Sequence, residues 1–170
     1  MPNFNLSNLQ GLYLSNNQLT TVPGFALPNL QELFLNNNRL TSVLNFNFQS
    51  LPNLKILYIH ENQLTSVPNF NLPNLVKFSL SSNQLTSVPN FNLPKLKVLY
   101  LYSNQLTSVP NFILPNLVFL YLDNNQLTSV PDFNLPNLQH IYLDNNRFSE
   151  EEKVKLKKKY ERQIYSYLEI

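Results

Sequence analysis

No cysteine occurs anywhere in the 170 residues. That excludes a disulfide framework, a thiol nucleophile and a zinc–thiolate site, and it fits a reducing compartment. The two glycines, Gly11 and Gly24, cannot form a glycine-rich phosphate loop. A net charge of +2 leaves no large field of one sign, which argues against a broad phosphate-binding surface or strong attraction to anionic membranes. Nothing reads as a signal peptide or a membrane span, because Met1 runs straight into Pro2-Asn3-Phe4-Asn5-Leu6 without a basic lead or an apolar stretch. The expectation from these absences is a cytosolic chain with no cofactor and no metal.

What the sequence does have is a repeat, and a fixed period decides the architecture. Asn17, Asn38, Asn62, Asn83, Asn104, Asn125 and Asn146 each sit in one pattern, seen clearly in Leu75-Val-Lys-Phe78-Ser-Leu80-Ser-Ser-Asn83-Gln-Leu85. The copies step by 21 residues, except from Asn38 to Asn62, where the step is 24. The longer copy has Leu44 in place of proline and continues Asn45-Phe46-Asn47-Phe48-Gln49-Ser50, which reads as a three-residue bulge on the outer side. Pro2 to Leu6 reproduce Pro68 to Leu72, so the chain opens partway through a copy.

Each copy explains itself physically. Leu12 and Leu14, like Leu99 and Leu101, alternate with one outward residue, the period of a short strand. Leu9, Leu12, Leu14 and Leu19 point inward and stack on their counterparts, since no single copy can bury them alone. The recurring asparagine turns the chain out of the strand by bonding backbone groups in the bend. The return path, Leu-Thr-Ser-Val-Pro-x-Phe, is too short and too rich in proline for a regular helix. Phe25, Phe70, Phe91, Phe112 and Phe133 recur there and are expected to fill the outer half of the core. Strands joined by such crossovers are parallel.

After residue 148 the composition changes. Ser149-Glu150-Glu151-Glu152 is a capping box, followed by a stripe of Leu156, Tyr160, Ile164, Tyr167 and Leu168 opposite Lys155, Lys158, Lys159 and Arg162. The predicted division is a solenoid of seven copies over 1–148 and a C-terminal capping helix over 149–170.

The Leu-x-x-Leu-x-Leu-x-x-Asn-x-Leu core resembles the leucine-rich-repeat family over nearly all the chain up to Phe148. The resemblance implies an α/β solenoid, a horseshoe with a parallel concave β-sheet, an irregular convex side and a capping helix. The short copies with Leu-Pro-Asn-Leu and Leu-Thr-Ser-Val-Pro are similar to repeats of bacterial effector proteins, those of Legionella and of the enteric ubiquitin-ligase effectors among them. The catalytic cysteine of the ligase group is absent here. The resemblance therefore implies a recognition module that binds a host protein or another effector, as a monomer, in a cytosol that would be the host's.

In such a horseshoe the outward strand residues face the partner. The central column is Tyr13, Phe34, Tyr58, Ser79, Tyr100, Tyr121 and Tyr142, aromatic at six of seven places. Beside it run Gly11, Glu32, Ile56, Lys77, Val98, Phe119 and His140, and on the other side Ser15, Asn36, His60, Ser81, Tyr102, Asp123 and Asp144. Asn16, Asn37, Glu61, Ser82, Ser103, Asn124 and Asn145 come next. The aromatic column has an ordinary structural reading, since rings suit strands and duplication copies them. It also has a binding one, since tyrosine offers large contact area at low entropic cost. The flanking columns vary from copy to copy and are expected to carry specificity. The candidate partner-binding set is Tyr13, Phe34, Tyr58, His60, Val98, Tyr100, Tyr102, Phe119, Tyr121, Asp123, His140, Tyr142 and Asp144. Its expected hot spot runs from Val98 to Asp144, where aromatic anchors meet two carboxylates.

Rival functions fare worse. His60 and His140 lie four copies apart, nearly 20 Å by strand spacing, so they cannot share a metal or an acid–base pair. A histidine such as His140 near Asp144 is ordinarily just solvated. Nucleic acid wants a continuous basic groove, whereas Lys77, with Lys55 and Lys97 near the edge, is opposed by Glu32, Glu61, Asp123 and Asp144. The lysines between 153 and 159 read as a solvated helix face. A glycan stacked on the tyrosines, or a targeting arm within a larger protein, are the alternatives to a protein-binding scaffold. Catalysis and a membrane partner are not expected.

Overall fold

A computed structural model describes residues 6–24 and 26–161. Seven three-residue strands, β1 (Gly11–Tyr13), β2 (Glu32–Phe34), β3 (Ile56–Tyr58), β4 (Lys77–Ser79), β5 (Val98–Tyr100), β6 (Phe119–Tyr121) and β7 (His140–Tyr142), are followed by one helix, α1 (Glu150–Lys159). The strands form a single parallel sheet in sequence order, each in register with the equivalent residues of the next copy, so that Leu57 pairs with Phe78 and Phe78 with Leu99. The solenoid expected from the periodicity is the fold observed.

Its interior is a column of leucines. Leu75, Leu80, Leu85, Leu96, Leu99, Leu101 and Leu106 are all completely buried, and the same positions recur along the array. Burial of each such side chain contributes about 1.5–3 kcal/mol, and only stacked neighbours provide it. In the first copy Leu9, Leu12, Leu14 and Leu19 pack against this core while staying partly exposed. Phe70, Phe91 and Phe112 fill the outer half, with Phe91 and Phe112 stacked at 6.1 Å, and Phe133 continues the row half-buried at 6.0 Å from Phe112. Phe25 lies outside the described residues. The 24-residue copy absorbs its extra length in a 3₁₀ turn, Phe48–Ser50, which buries Phe46 and Phe48 and leaves Leu44 exposed.

The strands are short because the chain is forced out of each one three residues later. Asn16, Asn37, Glu61, Ser82, Ser103, Asn124 and Asn145 all adopt left-handed backbone, with φ between 51° and 58°. The next residue is the recurring asparagine, whose amide does more than close its own bend. Asn104 Nδ2 donates to Leu101 O (3.1 Å) in its own copy and to Leu80 O (3.1 Å) in the preceding one, while its Oδ1 accepts from Leu85 N (3.1 Å). Asn83 and Asn125 repeat this pattern, so each second-leucine carbonyl takes amides from two successive copies. A second ladder runs along the other edge, where Asn53, Asn74, Asn116 and Asn137 donate to Pro28, Pro52, Pro94 and Pro115 carbonyls of the copy before.

At the C-terminal end α1 lays Leu156 and Tyr160 onto the core. Ser149 Oγ accepts from Glu152 N at 3.2 Å, the first half of the capping box. The reciprocal half is not made: Glu152 Oε1 is buried without a partner and Oε2 lies 3.5 Å from Lys155 Nζ. Lys159 also departs from the expected solvated face. Its ammonium pairs with Asp132 of the last copy and lies 5.1 Å from the Tyr160 ring centroid, which ties the helix to the solenoid. Arg162, Ile164, Tyr167 and Leu168 fall outside the described residues. Among the described residues no helix is long and apolar enough to cross a membrane.

Candidate functional site

Alternation within three-residue strands sends the middle residue inward and its two neighbours toward the concave side. The parallel register then turns sequence columns into ladders. In the central column Tyr13 meets Phe34 edge-on at 4.9 Å, and Phe34 stacks on Tyr58 at 5.0 Å. On the far side Tyr100, Tyr121 and Tyr142 form a continuous stack at 4.7 and 4.3 Å. Between these two runs stands Ser79, which is buried. So the thirteen predicted residues fall into two groups rather than one stripe: Tyr13, Phe34, Tyr58 and His60, then Val98 through Asp144.

Most of these side chains are half-buried by one another, and Tyr13 at the open edge is 60% exposed. Tyr13 folds back over Gly11, where an added Cβ would meet its ring at 2.8 Å, and its hydroxyl bonds Glu32. That hydrogen bond raises its pKa. His60 packs edge-on against Tyr58 at 5.6 Å with its Nδ1 covered and unpartnered, and burial lowers its pKa, so it is neutral at pH 7. Tyr102 stands edge-on to Tyr100 at 6.3 Å. Val98 pairs in register with Phe119, whose ring lies flat on His140 at 4.5 Å and 6°. His140 is therefore a stacked ring and not the solvated histidine expected from its neighbourhood with Asp144.

The surroundings of three ladder tyrosines disfavour their charged form. Burial raises the pKa of Tyr58 and Tyr100, and raises Tyr121 to about 12 with help from its hydrogen bond to Tyr142. No charge develops on these three hydroxyls near pH 7. Asp123 is pushed up by burial, with a smaller push from the Asp144 charge, against the hydrogen bond it accepts from Asn124 (2.7 Å). Asp144 Oδ1 is covered without a partner. Two neighbouring carboxylates, one of them with a covered oxygen that has no partner, make one corner of the trough suited to a cation or a set of donors.

The outermost column answers first to the backbone. Asn16, Asn37, Glu61, Ser82, Ser103, Asn124 and Asn145 occupy the left-handed turn, and asparagines there link copy to copy, as in Asn37 Nδ2 to Asn16 Oδ1 (2.6 Å) and Asn145 Nδ2 to Asn124 Oδ1 (3.0 Å). This column is less free to vary for a partner than its sequence diversity implies. Ser79 and Ser81 were absent from the predicted set, although Ser79 alone breaks the aromatic column, and that break was the available signal. Among the described residues no group of three or more histidines, cysteines or carboxylates could hold a metal ion.

The model for leucine-rich repeats in two copies matches residues 7–48, 73–114 and 115–155, and a second leucine-rich-repeat model matches 28–85. The chain belongs to the leucine-rich-repeat family. A leucine-rich-repeat protein of Leptospira interrogans is similar over 95% of this chain and 50% of its own length, at 32% identity and TM-score 0.75. InlP of Listeria monocytogenes is similar over 83% of this chain and 43% of its own, at 36% identity and TM-score 0.73. The leucine-rich-repeat protein described here thus spans about half the length of these two relatives. The leucine-rich-repeat part of FLRT2, solved in an octameric complex with Latrophilin 3 and Unc5D, is similar over 91% of this chain and 52% of its own, at 28% identity and TM-score 0.76. No curated protein matches the chain. Leucine-rich-repeat folds commonly serve as protein–protein interaction scaffolds, and one of these neighbours sits in such a complex.

Proposed function

We propose that this leucine-rich-repeat protein is a non-catalytic scaffold that grips a folded partner protein in its concave trough. The observation that carries the reading is the pair of ring ladders on the outward positions of β1–β3 and β5–β7, which contribute nothing to the leucine core. Neutral tyrosines present apolar faces with hydroxyl donors at the rim, the composition of interface hot spots. Asp123 and Asp144 select for basic or donor-rich groups on the partner. Seven strands at about 4.8 Å give a sheet roughly 30 Å wide, enough for an interface of standard size. The finer reading is a monomeric bacterial effector, acting in the host cytosol to block or recruit its target. It is supported by the likeness of the short copies to effector repeats.

The test compares the wild type with the triple substitution Tyr100→Ala, Tyr121→Ala, Tyr142→Ala in pull-downs from host-cell lysate, read by quantitative mass spectrometry. Partners held by the trough are retained by the wild type and lost by the triple variant, while circular dichroism of the two stays alike. An outer-face control, Ile113→Ala, retains them. Equal retention by the triple variant would remove the concave-face assignment.

A further inference from the structure

The central column is a stack with one ring missing. Where it is complete, neighbouring rings sit 4.3–5.0 Å apart. Between Tyr58 and Tyr100 the register inserts Ser79, so the strands that carry those two rings stand two steps apart, roughly 9.6 Å. That span admits one more ring at stacking distance from both, and no more. A depression of about 280 Å³ occupies the place, lined by Tyr58, His60, Ser79, Tyr100 and Tyr102. Its polar floor is Ser79, 4% exposed, whose Oγ lies 3.1 Å from the Oγ of Ser81, a residue 1% exposed that does not line the depression. Either oxygen can be the donor, and with Ser81 donating to Ser79 Oγ the Ser79 proton is left to donate into the depression.

Aromatic walls over a hydroxyl floor select the shape and polarity of what enters. A phenylalanine ring would satisfy the walls but strand the floor proton once water is expelled. An indole is wider and carries its only polar atom, a donor, on the flank rather than at the tip. A tyrosine enters phenol first, brings an acceptor oxygen to the floor and trails its backbone into the trough. We infer that the notch over Ser79 is an anchoring pocket for a tyrosine side chain of the partner protein, clamped between Tyr58 and Tyr100 with its phenol oxygen on the Ser79 hydroxyl. The inference rests on the concave face being the partner surface. It places the anchor on β4, the middle strand, where hot spots concentrate, between the two groups of predicted residues.

Titration of N-acetyl-tyrosinamide into the isotope-labelled full chain, followed by NMR, tests the pocket without the partner. Saturable shifts are expected at Tyr58, Ser79 and Tyr100 with a dissociation constant of the order of millimolar, as suits a single side chain. N-acetyl-phenylalaninamide is expected to bind about tenfold more weakly, the worth of one hydrogen bond. Ser79→Ala, which removes the floor hydroxyl, should shrink that preference and leave phenylalanine binding intact. Ser79→Tyr fills the vacancy with the chain's own ring and should remove the shifts; Ser79→Val, smaller and suited to a strand, serves if the tyrosine variant does not fold. No saturable shift at the three residues, equal or tighter binding of the phenylalanine compound, tighter binding of adenosine, or undiminished binding in the folded filled variants would each overturn the inference. Each of those outcomes can sink the pocket while the concave face stands, whereas equal retention by the triple-alanine variant, which lacks the Tyr100 wall, would sink both.

Discussion

Removal of a single interior amide, Asn104→Ala, measures how the copies are held together. The side chain accepts from Leu85 N at 3.1 Å and donates to Leu80 O (3.1 Å), Leu101 O (3.1 Å) and Tyr102 O (3.3 Å). Truncation leaves the Leu85 amide with no acceptor inside a completely buried residue, a cost of about 1–3 kcal/mol. The carbonyls fare better. Leu80 O keeps Asn83, Leu101 O keeps Asn125 and Tyr102 O keeps Ser82 N, so their loss is the net worth of two or three bonds, about 0.5–1 kcal/mol each. The sum is about 2–6 kcal/mol, or on the order of 10 °C in melting temperature for a chain of this size. Asn104→Asp separates the two halves of the argument. Its carboxylate can still accept from Leu85, yet it faces three carbonyl oxygens, so its pKa in the folded state is raised above the unfolded value. The folded form then holds more protons than the unfolded one between the ordinary aspartate range and neutrality. Stability of this variant therefore falls as pH rises from about 4 to 7 relative to wild type, and acidification restores it. Urea unfolding followed by circular dichroism at pH 5 and pH 7, with the surface control Thr128→Ala, gives both numbers. A loss below about 1 kcal/mol for Asn104→Ala, or an aspartate variant whose deficit does not change with pH, would refute the ladder as a structural element and leave apolar stacking alone in charge.

Phe91 lies between Phe70 and Phe112 and meets Phe78 edge-on, 1% exposed, so Phe91→Ala should cost about 3–5 kcal/mol in the same assay, whereas Phe133→Ala at the half-buried end of the row should cost less. Glu61 holds a left-handed backbone (φ 54°) that asparagine tolerates better, and Glu61→Asn should raise stability by about 0.5–1 kcal/mol, read as a melting temperature 1–4 °C higher.

The period, the inward leucines and the parallel sheet were all legible, because a pattern copied seven times leaves one way to bury its apolar stripe. What a single copy cannot display is a bond that leaves it. Asn104 reads as a turn residue, and only the stack shows its amide spanning Leu80 and Leu101. The left-handed turn was disguised for a related reason: Asn16, Asn37, Asn124 and Asn145 hint at it, but Glu61, Ser82 and Ser103 occupy it against their own preference, held by the neighbouring coils. Ser79 was visible as the odd member of an aromatic column, yet a vacancy becomes a pocket only once ring spacing is known. Helical periodicity puts Lys159 on the solvent face, because it carries no information about where Asp132 stands.

The hand-off of each amide to the adjoining coil has an evolutionary corollary. Since nothing in that scheme reaches beyond the nearest neighbour, excising one 21-residue cassette joins two coils that already offer each other the same donors and acceptors. Unequal recombination between such similar segments can therefore lengthen or shorten the trough one strand at a time without reinventing its wiring. Only the 24-residue coil, with Phe46 and Phe48 wedged into its flank, is not interchangeable, and it gives an otherwise monotonous array a fixed landmark.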